Sequence, residues 1–166
     1  MLVAGILLLG LTVFSKPMVA QNFRQEINHQ VWKPFISTYS SFDADGFLSL
    51  HSKDLIRSAR ESNKILTWEE YRDQQLASMK TLAESGIKRT IDLRFTERIA
   101  NAEKAIDVGI YKTTRTTPDG KSQSFYGRFF VILQNENGTW KILVDTDSSE
   151  GGTVDEADFQ SAVALE

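Results

Sequence analysis

Apolar residues recur at steps of three and four along the first half of the chain and at steps of two along the second. Phe23, Ile27, Val31, Trp32, Phe35, Ile36 and Tyr39 form one stripe between Asn22 and Ser41. That spacing predicts an amphipathic helix, with Pro34 kinking it or starting a second helix. Asp43-Ala44-Asp45-Gly46 reads as a turn or cap leading into a short helical piece, Phe47 to Leu50. Lys53 to Arg60 suits a short strand. Thr67-Trp68-Glu69-Glu70 is a capping box, opening a helix whose core face is expected to carry Trp68, Leu76, Met79, Leu82 and Ala83. Gly86 then stops that helix.

From Ile87 the period is that of strands. Ile91, Leu93 and Phe95 alternate with polar residues, as do Ile106, Val108 and Ile110. Turns are expected at Thr117-Pro118-Asp119-Gly120 and at Gln134 to Gly138, flanking Phe125 to Leu133, with Thr139 to Asp147 following. Connections this short join antiparallel neighbours. The fold class is therefore α+β, with N-terminal helices packed on a four-stranded antiparallel meander. Phe125 to Leu133 is apolar on both faces and belongs at the centre of that sheet.

Leu2 to Phe14 is a run of thirteen uncharged residues, broken by Ser15-Lys16-Pro17. It is shorter than the roughly 20 residues a membrane-spanning helix needs, and matches the apolar core of a signal peptide. The expectation is a signal peptide over residues 1–20, a domain over 21–148 and an acidic tail over 149–166, with export to the periplasm or the exterior. Against it, no Lys or Arg precedes the run, and Met18 stands where a small residue is preferred.

Composition narrows the chemistry. The 166 residues are 41% hydrophobic and 25% charged, enough for one domain with its own core. There is no cysteine, which excludes disulfides, thiol nucleophiles and thiolate metal sites. Two histidines, His29 and His51, give little basis for a zinc centre. A net charge of -3 indicates no nucleic-acid surface. No phosphate loop, dinucleotide fingerprint or nucleophile elbow is present, so no cofactor or metal is expected. Asp145 to Glu166 holds seven acids and no Lys or Arg. Thr153-Val154-Asp155-Glu156 reads there as a second capping box, and Phe159, Ala162 and Val163 as a small apolar face. This tail is either a solvated end or a helix docked on the basic core or on a partner subunit.

Element order, Asp43 to His51, and the closing hairpin Gly127 to Leu133 with Gly138-Thr139-Trp140-Lys141-Ile142 together resemble the nuclear transport factor 2-like superfamily. Its members include ketosteroid isomerases and polyketide cyclase-like domains. The resemblance spans about residues 23 to 148 and implies a curved sheet forming a cone, a pocket against the helices and dimerisation through the sheet. Aligned on Asp43 to Gly46 and Asn137 to Trp140, the positions of the isomerase's catalytic groups fall on Ala59, Phe35 and Phe130. None of these moves a proton or donates to an oxyanion, which argues against that mechanism.

The same alignment places Asp107, Tyr111, Tyr126, Arg128, Leu143, Asp145 and Asp147 on the pocket face. The alternative is that the apolar set Ile91, Leu93, Phe95, Ile106, Val108, Ile110, Trp140, Ile142 and Val144 faces the helices. A slip of one residue exchanges the two faces. Candidate ligand-binding residues are Trp32, Phe35, Tyr39, His51, Tyr111, Tyr126, Arg128, Phe130 and Asp145. Each also has a plainer role: Trp32 and Tyr39 as core, His51 as a cap or surface residue, Arg128 with Asp145 as a cross-strand ion pair. Arg57, Arg60, Lys53 and Lys64 read as a solvated basic cluster, and Asn137-Gly138-Thr139 as a sequon or a tight turn. Two functions follow. One is an exported, non-catalytic domain that binds a small molecule or pairs as a homodimer. The alternative is an isomerase, cyclase or dehydratase using His51, Tyr126, Arg128 and Asp145.

Overall fold

The computed structural model describes residues 16–166, with no side chains described for residues 16–20 and Ala59. The apolar run Leu2 to Phe14, and the export signal expected there, lie outside the described residues. The chain opens with α1 (Lys16–Ile27), a π-helical turn (Asn28–Trp32) and α2 (Lys33–Ser41). Backbone angles stay helical through both junctions, so one rod carries all three segments. Pro34 neither breaks nor restarts it. A proline ring clashes with the carbonyl four residues back, and widening the preceding turn moves that carbonyl aside. Phe42, in the left-handed conformation, closes the rod.

Asp43 caps α3 (Ala44–Ser49), accepting from the Gly46 N–H at 2.9 Å. Strands β1 (His51–Ala59) and β2 (Lys64–Leu66) precede α4 (Trp68–Glu84), whose capping box forms as the sequence predicts. The buried face of α4 differs from the expected one. Trp68, Tyr71 and Met79 are buried and Gln75 faces the cavity described below, whereas Leu76 and Ala83 are exposed. Positions 68, 71, 75, 79 and 82 follow the helical period, and Leu76 stands one residue off that stripe.

The sheet has seven strands in the order β2-β1-β6-β5-β4-β3-β7, mostly antiparallel. Its centre is β3 (Lys88–Ala100), β4 (Lys104–Thr116), β5 (Ser122–Glu136) and β6 (Thr139–Ser148). β1 joins β6 in parallel, and β7 (Val163–Ala164) pairs with β3. Side-chain direction follows register. Ile91, Leu93 and Phe95 pair with Thr113, Tyr111 and Gly109, so the odd residues of β4 and β5 face the helices. A bulge at Leu143 then changes the parity of β6. Trp140 and Ile142 face inward before it, Asp145 and Asp147 after it. Ile106, Val108 and Val144, grouped by alternation with the covered face, therefore stand on the outer one.

The main core joins Ile27, Val31 and Trp32 to Phe47, Tyr71 and Met79, and to Phe95, Phe129, Leu133, Trp140 and Ile142 of the sheet. A smaller cluster forms outside. There α5 (Glu156–Ser161) presses Phe159, with Val154 and Ala162, on Ile110 and Tyr126. The tail is thus docked on the domain's own basic residues. Lys112 pairs with Glu156 at 2.7 Å and Arg128 with Asp158 at 3.4 Å. Its cap is Asp155, reciprocated by Asp158, rather than Thr153. Asn137 and Gly138 both take positive φ, the geometry of a tight hairpin turn.

Candidate functional site

Between the inner sheet face and the helices lies a cavity of about 540 Å³. Helix-borne Trp32, Phe35, Tyr39 and Phe47 form one wall, and Ile91, Leu93, Phe129, Val131 and Ile142 the other. The rings brace one another at tilted and edge-to-face angles. Phe35 and Phe47 centroids are 4.8 Å apart, and Trp32 stands 5.8 Å from both Phe35 and Phe129. Trp32 is also held by its polar edge. Its Nε1–H donates to Asp107 at 2.7 Å, while Arg98 donates twice to the same carboxylate, at 2.9 and 3.0 Å.

The far end of the cavity is polar. Arg57 on β1 reaches Asp147 at 2.6 Å and Asp145 at 3.5 Å. Tyr71 on α4 and Tyr111 on β4 complete this end. Burial raises the carboxyl values of Asp145 and Asp147 above the ordinary aspartate range, although Arg57 pulls them down. For Arg57 the balance is reversed. Burial lowers its value, and the two carboxylates more than offset this, keeping it charged. Burial and then the charge of Asp147 push Tyr111 up to about 12, and burial with Asp145 holds Tyr71 well above the usual phenol value. Burial thus opposes the charged form of every group at this end, and only for Arg57 do the neighbouring charges outweigh it.

Tyr111 fits because its neighbour on β5 is Gly127. A Cβ there would collide with the Tyr111 hydroxyl and the Ser148 carbonyl. Gly127→Ala is expected to cost roughly 1–3 kcal/mol through overpacking and to displace Tyr111; urea unfolding and a crystal structure of the variant measure both. Arg57→Met leaves two partly buried carboxylates without their cation. A loss of about 2 kcal/mol is expected at pH 7, below the cost of a fully buried pair because Asp147 is a third exposed. That loss shrinks in acid, where the carboxyls are protonated, and denaturant titrations at pH 7 and 4.5 compare the two.

Of the residues singled out in the sequence, Trp32, Phe35, Tyr39, Tyr111, Tyr126 and Asp145 border this cavity. Tyr126 does so from the outer register, its hydroxyl donating to Glu156 of α5 at 2.6 Å. His51, Arg128 and Phe130 do not border it. His51 is buried in the aromatic cluster, its Nδ1–H donating to the Phe47 carbonyl at 3.0 Å. Arg128 and Phe130 lie on even positions of β5 and point outward; Arg128 meets Asp158, and Asp145 takes Arg57 instead. His51, Arg128 and Asp145 therefore do not share one cavity, which removes the acid–base set suggested by the sequence. Arg57, Tyr71 and Gln75 went unnoticed as site residues. The available signals were the α4 stripe and the two-residue spacing that puts Arg57 on the face of buried Leu55 in β1.

No family model matches the chain, nor does any curated protein. Solved structures do. Aln2 from a Streptomyces species superimposes with a TM-score of 0.65 at 12% identity, over 78% of this chain and 92% of that one. A nuclear transport factor 2-like superfamily protein from Salmonella enterica serovar Typhimurium gives 0.61 at 17% identity, over 77% and 91%. This chain has the nuclear transport factor 2-like fold. The association domain of C. elegans CaMKII also shares it, with a TM-score of 0.60 at 12% identity over 78% and 97%. The fold does not by itself fix which groups line the cavity; that is decided residue by residue.

Proposed function

We propose that the chain is an exported, non-catalytic domain that binds a small ring-bearing organic molecule in the nuclear transport factor 2-like cavity and pairs with a second copy. The observation that carries the binding reading is the cavity's make-up: braced aromatic walls with a few polar groups, chief among them Arg57, Asp145 and Asp147, the pattern of sites that hold a mostly apolar ligand in one orientation. Export rests on the uncharged run Leu2 to Phe14.

Pairing is supported by an apolar band across the outer sheet face. Register aligns Ile56, Val144, Ile132, Ile106 and Ile99 across five strands, with Phe130 beside them. Ile56, Ile99 and Phe130 are exposed by 49%, 56% and 40%. Such a band suits a contact with another copy. The sharing of this fold by an association domain points the same way.

Native mass spectrometry of the protein from its own host's exported fraction tests the reading. A dimer carrying a discrete added mass is expected, and Phe130→Asp should return a monomer. A strictly monomeric protein that retains nothing overturns it. A second reading, acid–base catalysis, is favoured by Asp145 and Asp147, two carboxyl groups on the cavity wall whose values burial raises. Turnover of the retained molecule separates the two.

A further inference from the structure

The polar end of the cavity carries more negative than positive charge. Asp145 on β6 meets Arg57 only at 3.5 Å, and its carboxylate accepts no hydrogen bond from a described residue. Asp147 accepts one, at 2.6 Å, through a single oxygen. Arg57 is thus shared between two carboxylates, one of which it barely engages. The other cavity-lining cation, Arg115, is exposed and lies four residues along β4 from Tyr111, at the far end of the strand. It leaves the surplus at the aspartates uncompensated.

A second observation comes from α4. Tyr71 is 4% exposed, lines the cavity, and its hydroxyl has no hydrogen-bond partner among the described residues. That hydroxyl is therefore available to a ligand in the cavity. Its ring also lies beside Arg57, 5.8 Å from the guanidinium carbon. This end therefore presents carboxylate oxygens, a hydroxyl and aromatic faces to the cavity, a combination that suits a cationic group bearing several N–H donors.

We propose that the ligand of this cavity is a ring-bearing organic amine, its ammonium group held by Asp145 and Asp147 beside the Tyr71 hydroxyl and its ring against Trp32 and Phe129. The proposal rests on the reading of the cavity as a binding site and adds the charge of what it binds. An ammonium ion brings the surplus carboxylate charge to neutrality. A carboxylate ligand would meet the two aspartates with like charge, and a neutral alcohol would leave the surplus in place.

The test uses three probes of one shape, the 2-phenylethylammonium ion, 2-phenylethanol and 3-phenylpropanoate, titrated at pH 7 to millimolar concentration. Amide and indole NMR shifts of cavity residues follow binding, so weak complexes are measured. The amine should bind roughly tenfold more tightly than the alcohol, with the carboxylate weakest, which corresponds to one favourable charge contact. Asp145→Asn should bring amine and alcohol together. Asp147→Asn, at a more exposed position, should reduce the difference in part, and so checks the result if the first variant folds poorly. Equal binding of amine and alcohol, or tightest binding of the carboxylate, overturns the amine proposal and leaves the cavity a binding site. If none of the three shifts the cavity resonances, the binding-site reading falls and the proposal falls with it.

Discussion

Asp107→Ala is expected to destabilise the protein by about 3–5 kcal/mol, the range for breaking a buried ion pair from one side. Asp107 is 1% exposed and receives three donors, from Trp32 Nε1 and from Arg98 Nε and Nη2. Removing the carboxylate strands a guanidinium whose side chain is only 14% exposed, along with a buried indole N–H. Neither finds water without moving the helix that carries Trp32. The effect should therefore reach the cavity wall as well as the stability. Urea titration should show a lower midpoint with an unchanged slope, and indole fluorescence should report a more polar Trp32. Replacing the pair together, as Arg98→Met with Asp107→Leu, should recover much of the loss, because no uncompensated charge remains. A single Asp107→Ala variant within about 1 kcal/mol of the parent would show that solvent reaches this network.

Acid should weaken the protein through His51. Burial, opposed by the Phe47 carbonyl and aided by the positive charges of Arg57 and Lys141, lowers its value from 6.5 to about 3. A histidine depressed in the folded state contributes stability that is present above its unfolded value and is lost as pH falls toward the folded one. The window is therefore from about pH 6.5 down to about pH 3, and by pH 4 the His51 contribution to be lost is about 3 kcal/mol. Asp145 and Asp147 act in the opposite sense. Their raised values mean that the folded state binds protons more readily than the unfolded chain, so they offset part of the loss as pH falls. His51→Phe isolates the histidine. It keeps a ring among Phe35, Phe47 and Tyr71 and removes an Nε2 that is buried with no described partner. Denaturant titrations at pH 7 and pH 4 should show the parent losing about 3 kcal/mol more than the variant. Equal losses would mean that His51 reaches water.

Much of the architecture is legible in the residue pattern because helix and strand periods are local properties. The Phe23 to Tyr39 stripe, the Thr67 capping box, the Gly86 stop and the turns at Gly120 and Gly138 each depend on neighbours a few residues away. Their order along the chain was enough to suggest the fold. The sheet itself was only partly legible, since β1 joins β6 across some ninety residues and β7 is two residues long. A pairing that distant leaves no local signature.

The site depended on a finer quantity, the parity of each strand. The alignment placed Tyr111 and Asp145 on the pocket side, where both border the cavity, but it placed Arg128 there too, and the cross-strand reading paired Arg128 with Asp145. The reason lies in register: β5 pairs Gly127, not Arg128, with Tyr111, and the Leu143 bulge turns Asp145 and Asp147 to the face opposite Arg128. A bulge moves every later side chain to the other face, and nothing in the composition of Ile142-Leu143-Val144 announces one. Arg57 looked like one of several surface cations because its carboxylate partners lie eighty-eight and ninety residues away. The sequence alone determined the elements, their order and the absence of thiol chemistry, because these follow from residue type and short-range period. The tertiary structure decided which polar residues meet, because burial and charge act through space between strands whose register only the folded sheet sets.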